Sequence, residues 1–195
     1  SCTNCGAHCP VGINHVPLMV QLRRALVSEG RVDEQLQQTL INLQRSGNAM
    51  GQSDRMRAKW TKDLPFKIKD ARKEAVRYLW FVGDNASYDP RVQESTVTTA
   101  KLFEAAGLDF GILYEAERNS GNDVRRVGEE GLFEMLVEKN LRAFEKAEFE
   151  AIVTTDPHSY NTLKNEYPSF GADYSVYHYS EVLLQLVREG SLTLR

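Results

Sequence analysis

Cysteine is absent from everything after position 9 of this 195-residue chain; the three it has are Cys2, Cys5 and Cys9. An odd, tightly packed trio is no disulfide framework, because such close neighbours cannot pair up in disulfide geometry. A clustered C-x-x-C reads instead as a metal site. Long apolar runs are also missing. None approaches the roughly 18 residues of a membrane span, and no signal peptide is visible. Charge of one sign is scarce: the net charge is −3, which gives no reason to expect a nucleic-acid partner. These absences lead to the expectation of a cytoplasmic protein. Because Ser1 already lies inside a motif, the natural start is expected upstream.

What is present is enough to build a core. With 42% hydrophobic and 26% charged residues, the length suits one good domain plus an appendage. Residues 1–13 form a Cys/Gly/Pro loop. Val16, Met19, Val20, Leu22, Leu26 and Val27 then recur at helical spacing behind Pro17, with Gly30 as the stop. A second helix is expected over 32–45. Residues 54–77 carry nine Lys or Arg against four acidic residues; they read as a solvated connector, or as a docking face for an acidic partner. Trp60 and Phe66 are its apolar anchors. From Tyr78 the pattern changes to strands over 78–82, 110–114, 151–155 and 174–178. Helices are expected over 90–106, 124–146, 159–166 and 180–189. Strands alternating with helices predict an α/β fold with a parallel sheet. The expected organisation is a helical segment over 1–46, a charged linker over 47–77 and an α/β domain over 78–195.

Ligands in an open parallel sheet bind beyond the carboxyl ends of the strands. Three such ends carry polar loops: GDNASYDP (83–90), EAERNSGNDVRR (115–126) and DPHSYN (156–161). Asp84, Asn119, Ser120, Asp156, His158 and Ser159 are therefore expected around one cleft. Helix capping accounts for Asp89 and, in part, Ser159. Three such polar loops together call for more than capping. Arg125 and Arg126 begin a helix, where they suit an anion, a partner carboxylate or plain solvation.

The spacing matters. If Asp84, Asn119, Ser120, Asp156 and Ser159 were all cysteine, the chain would read C…CC…C-x-x-C, the cysteine-rich CCG motif. The longer stretches FVGDNASYDPRVQ, NSGNDVRRVGEEGLFE and TTDPHSYNTLKNEYP, with CPVGINHVP near the start, resemble the iron–sulfur subunits of the heterodisulfide reductase and glycolate oxidase type. That resemblance implies a ferredoxin-like, helical N-terminal segment followed by a small Rossmann-like CCG-type domain. It also implies an electron-transfer subunit, with a flavoprotein or hydrogenase-like donor and a quinone or haem partner at the membrane. All five family cysteine positions of the domain hold other residues here, and carboxylate, amide and hydroxyl are poor substitutes for soft thiolates. The domain is thus expected to be a docking scaffold without a cluster, and His158 a structural residue. Members of the family usually have a second CCG half and a further ferredoxin motif, so this chain resembles a middle segment.

Cys2, Cys5 and Cys9-Pro10 give C-x2-C-x3-C-P, short by one cysteine of a ferredoxin half-motif. A 4Fe–4S cluster with an outside ligand, or a 3Fe–4S cluster, is the expected cofactor. Zinc held by these thiolates with His8 or His15 is the alternative, although adjacent His8 and Cys9 would chelate one tetrahedral ion awkwardly. Other readings are a non-redox interaction module and an enzyme using Asp84, Asp156 and His158 around a hard metal or small anion. No nucleophile–base pair supports the enzyme. Asp84 and Asp156 are expected at the ends of neighbouring strands, repelling each other, so that one titrates high and Asp84→Asn is neutral or stabilising.

Overall fold

The computed structural model describes residues 4–193. Cys2 therefore lies outside the described residues. In chain order the elements begin with α1 (Asn4–Ala7), α2 (Val16–Ser28) and α3 (Glu34–Ser46). Two 3-10 turns follow, Asp54–Met56 and Lys59–Asp63, then β1 (Lys69–Asp70) and β2 (Val76–Phe81). Next come α4 (Asp84–Tyr88), α5 (Pro90–Ala105), β3 (Phe110–Ile112), α6 (Asn122–Val127) and α7 (Glu130–Phe144). The chain ends with β4 (Phe149–Thr154), α8 (Pro157–Asn165), β5 (Ser175–His178) and α9 (Tyr179–Arg188).

All five strands are parallel, in the order β1-β3-β2-β4-β5. The fold is α/β and Rossmann-like, as the sequence pattern predicts. Side chains of β2 alternate between two cores, as strand geometry requires. Leu79 and Phe81 face Phe133, Leu136, Val137 and Phe144 of α7. Tyr78, Trp80 and Val82 face Ala100 and Phe103 of α5 and Val182 and Leu186 of α9. Helices thus cover both faces. The chain leaves central β2 for β3 on one side and returns past it to β4 on the other. That reversal opens a crevice at the carboxyl ends of β2 and β4, where such sheets bind ligands.

Two sequence expectations need correction. The long helix over 124–146 is really α6 and α7, broken at Gly128. This glycine has a φ of 99°, in the left-handed region that side chains rarely adopt. A Cβ there would also stand 2.5 Å from the backbone nitrogen of Arg24. The break lets α2 dock on the end of α6: Arg23 Nη1 donates to the Arg126 carbonyl at 2.7 Å, and Arg24 Nη2 meets Glu130 Oε2 at 2.6 Å.

The second correction concerns the charged stretch 54–77. It is not solvated throughout. Trp60, Ile68 and Ala71 join the core, and Arg57 and Asp70 are buried. Residues 69–70 add an edge strand beside β3. Trp60 explains the anchoring, stacking edge-on against Trp80 with centroids 5.5 Å apart. Tyr114 fastens the edge by donating to the Ile68 carbonyl at 2.7 Å.

Candidate functional site

Asp84, Asn119, Ser120, Asp156, His158 and Ser159 all line one cavity of about 420 Å³ at the crevice. The three loops reach it because each follows a strand end or runs beside one. Gly83, with φ 82°, turns β2 straight into α4 and delivers Asp84 inward. Asp156 N-caps α8, accepting from the backbone N–H of His158 at 3.1 Å and of Ser159 at 2.9 Å. The following Pro157 suits the first helical turn. Helix α8 therefore starts two residues before the position expected, and Asp156 rather than Ser159 is its cap. Ser159 donates to that cap, Oγ to Asp156 Oδ2 at 2.6 Å, and lies 3.0 Å from Ser120 Oγ. His158 is exposed on the rim.

The Asp84 corner is built differently. Asp84 Oδ1 accepts from Arg57 Nη2 at 2.7 Å, and Oδ2 accepts from Asn119 Nδ2 at 2.7 Å and Ala49 N–H at 3.0 Å. Arg57 Nη1 donates to Glu117 Oε1 at 2.8 Å. Glu117 also accepts from the N–H groups of Val82 and Gly83 at 2.9 and 2.8 Å. Side chains of Arg57, Asp84 and Glu117 are only 3%, 6% and 2% exposed. This ion group straps the ends of α3 and β2, the 3-10 turn at 54–56 and the 117–119 loop together.

Its members do not respond evenly. Burial acts to lower the Arg57 pKa, but Asp84 and then Glu117 outweigh it and hold the guanidinium above its ordinary value. Burial pushes the Glu117 carboxyl up, against the opposing pull of Arg57 and the two N–H groups.

The expected repulsion between Asp84 and Asp156 is therefore displaced. The two residues do stand at the ends of neighbouring strands, since β2 pairs with β4. But Asp84 has a fixed cationic partner and Asp156 is absorbed by a helix end. The ground for expecting a neutral Asp84→Asn is gone. The sequence pattern does not single out Arg57 or Glu117. Nothing local separates Arg57 from the eight other basic residues of its stretch. Glu117 has one signal only, its place in a polar loop at a strand end.

Arg125 and Arg126 are neither solvated nor free for an outside anion. Arg125 bridges Glu130 at 3.1 Å and Glu166 at 3.0 Å, and Arg126 also pairs with Glu166.

At the other end of the chain, Cys5 is exposed and Cys9 half-buried. Cys9 Sγ accepts from the Ile13 N–H at 3.3 Å. Its pKa lies below the ordinary thiol value, chiefly through the N–H groups of Val11 and Ile13, with His15 adding to the effect. A thiolate served by backbone donors on a short loop has the donor chemistry of an iron–sulfur ligand. Among the described residues no group of three or more His, Cys, Asp or Glu is arranged to hold a metal ion. The crevice fails the same test on chemistry. Its five positions offer oxygen and amide groups already joined to one another, which do not fit an iron–sulfur cluster.

Residues 78–164 match the cysteine-rich CCG domain. The chain is 43% identical over 199 residues to the probable iron-sulfur-binding oxidoreductase FadF of Bacillus subtilis, covering 98% of this chain and 28% of that protein. It is 37% identical over 200 residues to the EtfAB:quinone oxidoreductase of Syntrophomonas wolfei, covering 98% and 28%. It is 36% identical over 203 residues to a probable membrane-anchored ferredoxin of Chromohalobacter salexigens, covering 100% and 30%. The chain thus spans under a third of the length of these relatives. No solved structure matches it. No helix among the described residues is long and apolar enough to cross a membrane. Residues 78–164 are thus a CCG-type domain laid over a Rossmann-like sheet, and along its whole length the chain is similar to part of proteins named as iron–sulfur-binding oxidoreductase, EtfAB:quinone oxidoreductase and ferredoxin.

Proposed function

We propose that this chain is an electron-transfer part of a multi-subunit oxidoreductase, in which the N-terminal loop holds the iron–sulfur cluster and the CCG domain is a docking scaffold without one. The observation that carries the reading is the state of Asp84. A residue at a family cluster position is occupied on both oxygens by three protein donors. The strap that a cluster would supply is supplied by an ion group. An enzyme built on Asp84, Asp156 and His158 finds no support, because the two carboxylates are committed to internal donors.

Cys5 and Cys9, with Cys2, are the residues that would hold the cluster. A bound cluster would supply one-electron transfer at a potential tuned by hydrogen bonds to its sulfurs. The Ile13 N–H aimed at Cys9 Sγ is one such bond. The ion pairs and close approach of α2 to α6 seat the cysteine segment firmly on the scaffold. Val11, Ile13, Leu18, Met19, Leu22 and Leu26 are exposed around that segment. Their concentration beside the cysteines supports docking of another oxidoreductase subunit there. The name of the Syntrophomonas relative supports a quinone on the acceptor side and EtfAB on the donor side; a flavoprotein or hydrogenase-like donor is what the family resemblance implies. Reaching a membrane through such partners agrees with a relative named as membrane-anchored.

Anaerobic reconstitution followed by iron and acid-labile sulfide analysis tests this. Iron and sulfide bind the native chain and are lost in Cys5→Ser/Cys9→Ser. Iron and sulfide retained in that variant would place a cluster elsewhere and overturn the scaffold reading. A colourless, zinc-containing native protein would overturn the redox reading.

A further inference from the structure

Most buried polar atoms of this protein have partners, but a few do not. Arg57 Nε, Trp60 Nε1 and Ser87 Oγ are buried with no hydrogen-bond partner among the described residues. Their residues are 3%, 2% and 0% exposed. They come from three separate places: the connector after α3, a 3-10 turn and α4. Yet all three residues line one small cavity of about 10 Å³, with Glu117 as a further wall. Buried polar groups of native proteins almost always find a partner. Three exceptions around one space call for a common cause.

We propose that this cavity binds a single internal water molecule, which completes the hydrogen bonding of Arg57, Trp60 and Ser87. The size fits, since roughly 10–15 Å³ is the smallest space that admits one water, and such a water needs two to four polar partners. The chemistry fits water better than an ion. Arg57 Nε and Trp60 Nε1 can only donate, the Ser87 hydroxyl can donate or accept, and Glu117 accepts. Water accepts two hydrogen bonds and donates two, and so serves all four. A metal or ammonium cation would face the guanidinium and an indole N–H. An anion would face Glu117, in a group where Asp84 and Glu117 outnumber Arg57. Both terminal nitrogens of Arg57 are held, Nη1 by Glu117 and Nη2 by Asp84 and the Gly47 carbonyl, so Nε is the one guanidinium donor left without a partner. A water there gives it one without disturbing the plane that the two carboxylates already fix. The site shares Arg57 and Glu117 with the ion group that holds Asp84.

The protein carries its own control. It has two tryptophans, hence two indole N–H signals, and both are buried without a partner. Trp80 does not line this cavity. Water-selective NOE spectroscopy of the 15N-labelled full chain should therefore show a long-lived water cross-peak at the Trp60 indole and none at Trp80. The cross-peak should persist in Ser87→Ala, which removes the hydroxyl proton that could relay a false signal. Its absence in the native chain, equal peaks at both indoles, or its loss in Ser87→Ala would each overturn the proposal. A Trp60 shift that titrates with bromide would replace the water with an anion and overturn it too.

Discussion

Asp84 and Asp156 make a natural pair for comparison. Both follow neighbouring parallel strands, and both line the same crevice. Asp84 serves tertiary structure: its donors come from residues 49, 57 and 119. Asp156 serves secondary structure: its backbone donors are two and three residues away. The lesson is that two carboxylates at the ends of neighbouring strands are held by two unrelated physical devices. At one corner a long-range ion pair holds several segments. At the other a helix cap holds only its own helix. The two corners should therefore respond to mutation by different amounts.

The largest effect is expected at Arg57. Arg57→Met leaves Asp84 and Glu117 buried without a counter-ion, and uncompensated buried charge costs about 3–5 kcal/mol. Denaturant unfolding at pH 7 checks this. A loss below about 1 kcal/mol would mean that the ion group does not bind these segments together.

Asp84→Asn should cost less, roughly 2 kcal/mol, because Arg57 keeps Glu117. The sign follows from donor counting. Every partner of Asp84 is a donor. Whichever way the amide is turned, its NH2 faces Arg57 on one side or Ala49 and Asn119 on the other, and a buried donor is left unpaired. Unfolding curves at pH 5 to 8 should show the loss throughout. A neutral result would restore the view that Asp84 sits in an emptied socket.

The two corners also differ in how far they could be read from sequence. Asp156-Pro157 at a strand end carries a helix-start signal, because capping and proline preferences act within a few residues, although the start was expected two residues later, at Ser159. So the α/β alternation, the strand ends and the six crevice residues were all accessible to local reasoning. The partner of Asp84 was not. Arg57 lies 27 residues away, in a stretch whose charge suggested solvent. Its burial depends on Trp60 entering the core and on a two-residue strand pairing with β3. Neither leaves a periodic trace. The break at Gly128 was hidden for a related reason: its cause is the backbone of α2, more than a hundred residues earlier.

Asp70 gives an intermediate case, buried but paired locally, with Arg72 and Lys73. Its hydrogen bonds from Arg72, and then from Lys73, outweigh the cost of burial and hold the carboxyl at about 2, below its ordinary 3.8. A depressed folded-state pKa contributes stability that is present above the unfolded value and lost as pH falls. The contribution should therefore fade between about pH 4 and pH 2, by about 1 kcal/mol once solvent screening is allowed for. Asp70→Asn should flatten that part of the acid limb of the stability curve. An unchanged limb would show that the Arg72 pairing is not maintained in solution.

The smallest effects are expected at Asp156, and there the kind of substitution matters more than the site. Asp156→Asn keeps a side-chain oxygen that can accept from His158 or Ser159 N–H, and asparagine caps helices about as well as aspartate. Its cost should be within about 0.5 kcal/mol, in contrast to the same change at Asp84. Asp156→Ala removes the cap and leaves both N–H groups to solvent, at about 1 kcal/mol, a typical capping loss. Native-state hydrogen exchange separates the two corners further. Asp156→Ala should speed exchange within α8 and leave the backbone around Ala49 unchanged, because no hydrogen bond of the Asp156 side chain leaves its own helix turn. Faster exchange at Ala49 as well would mean that the two corners are coupled across the crevice, and the division between a tertiary strap and a local cap would fail.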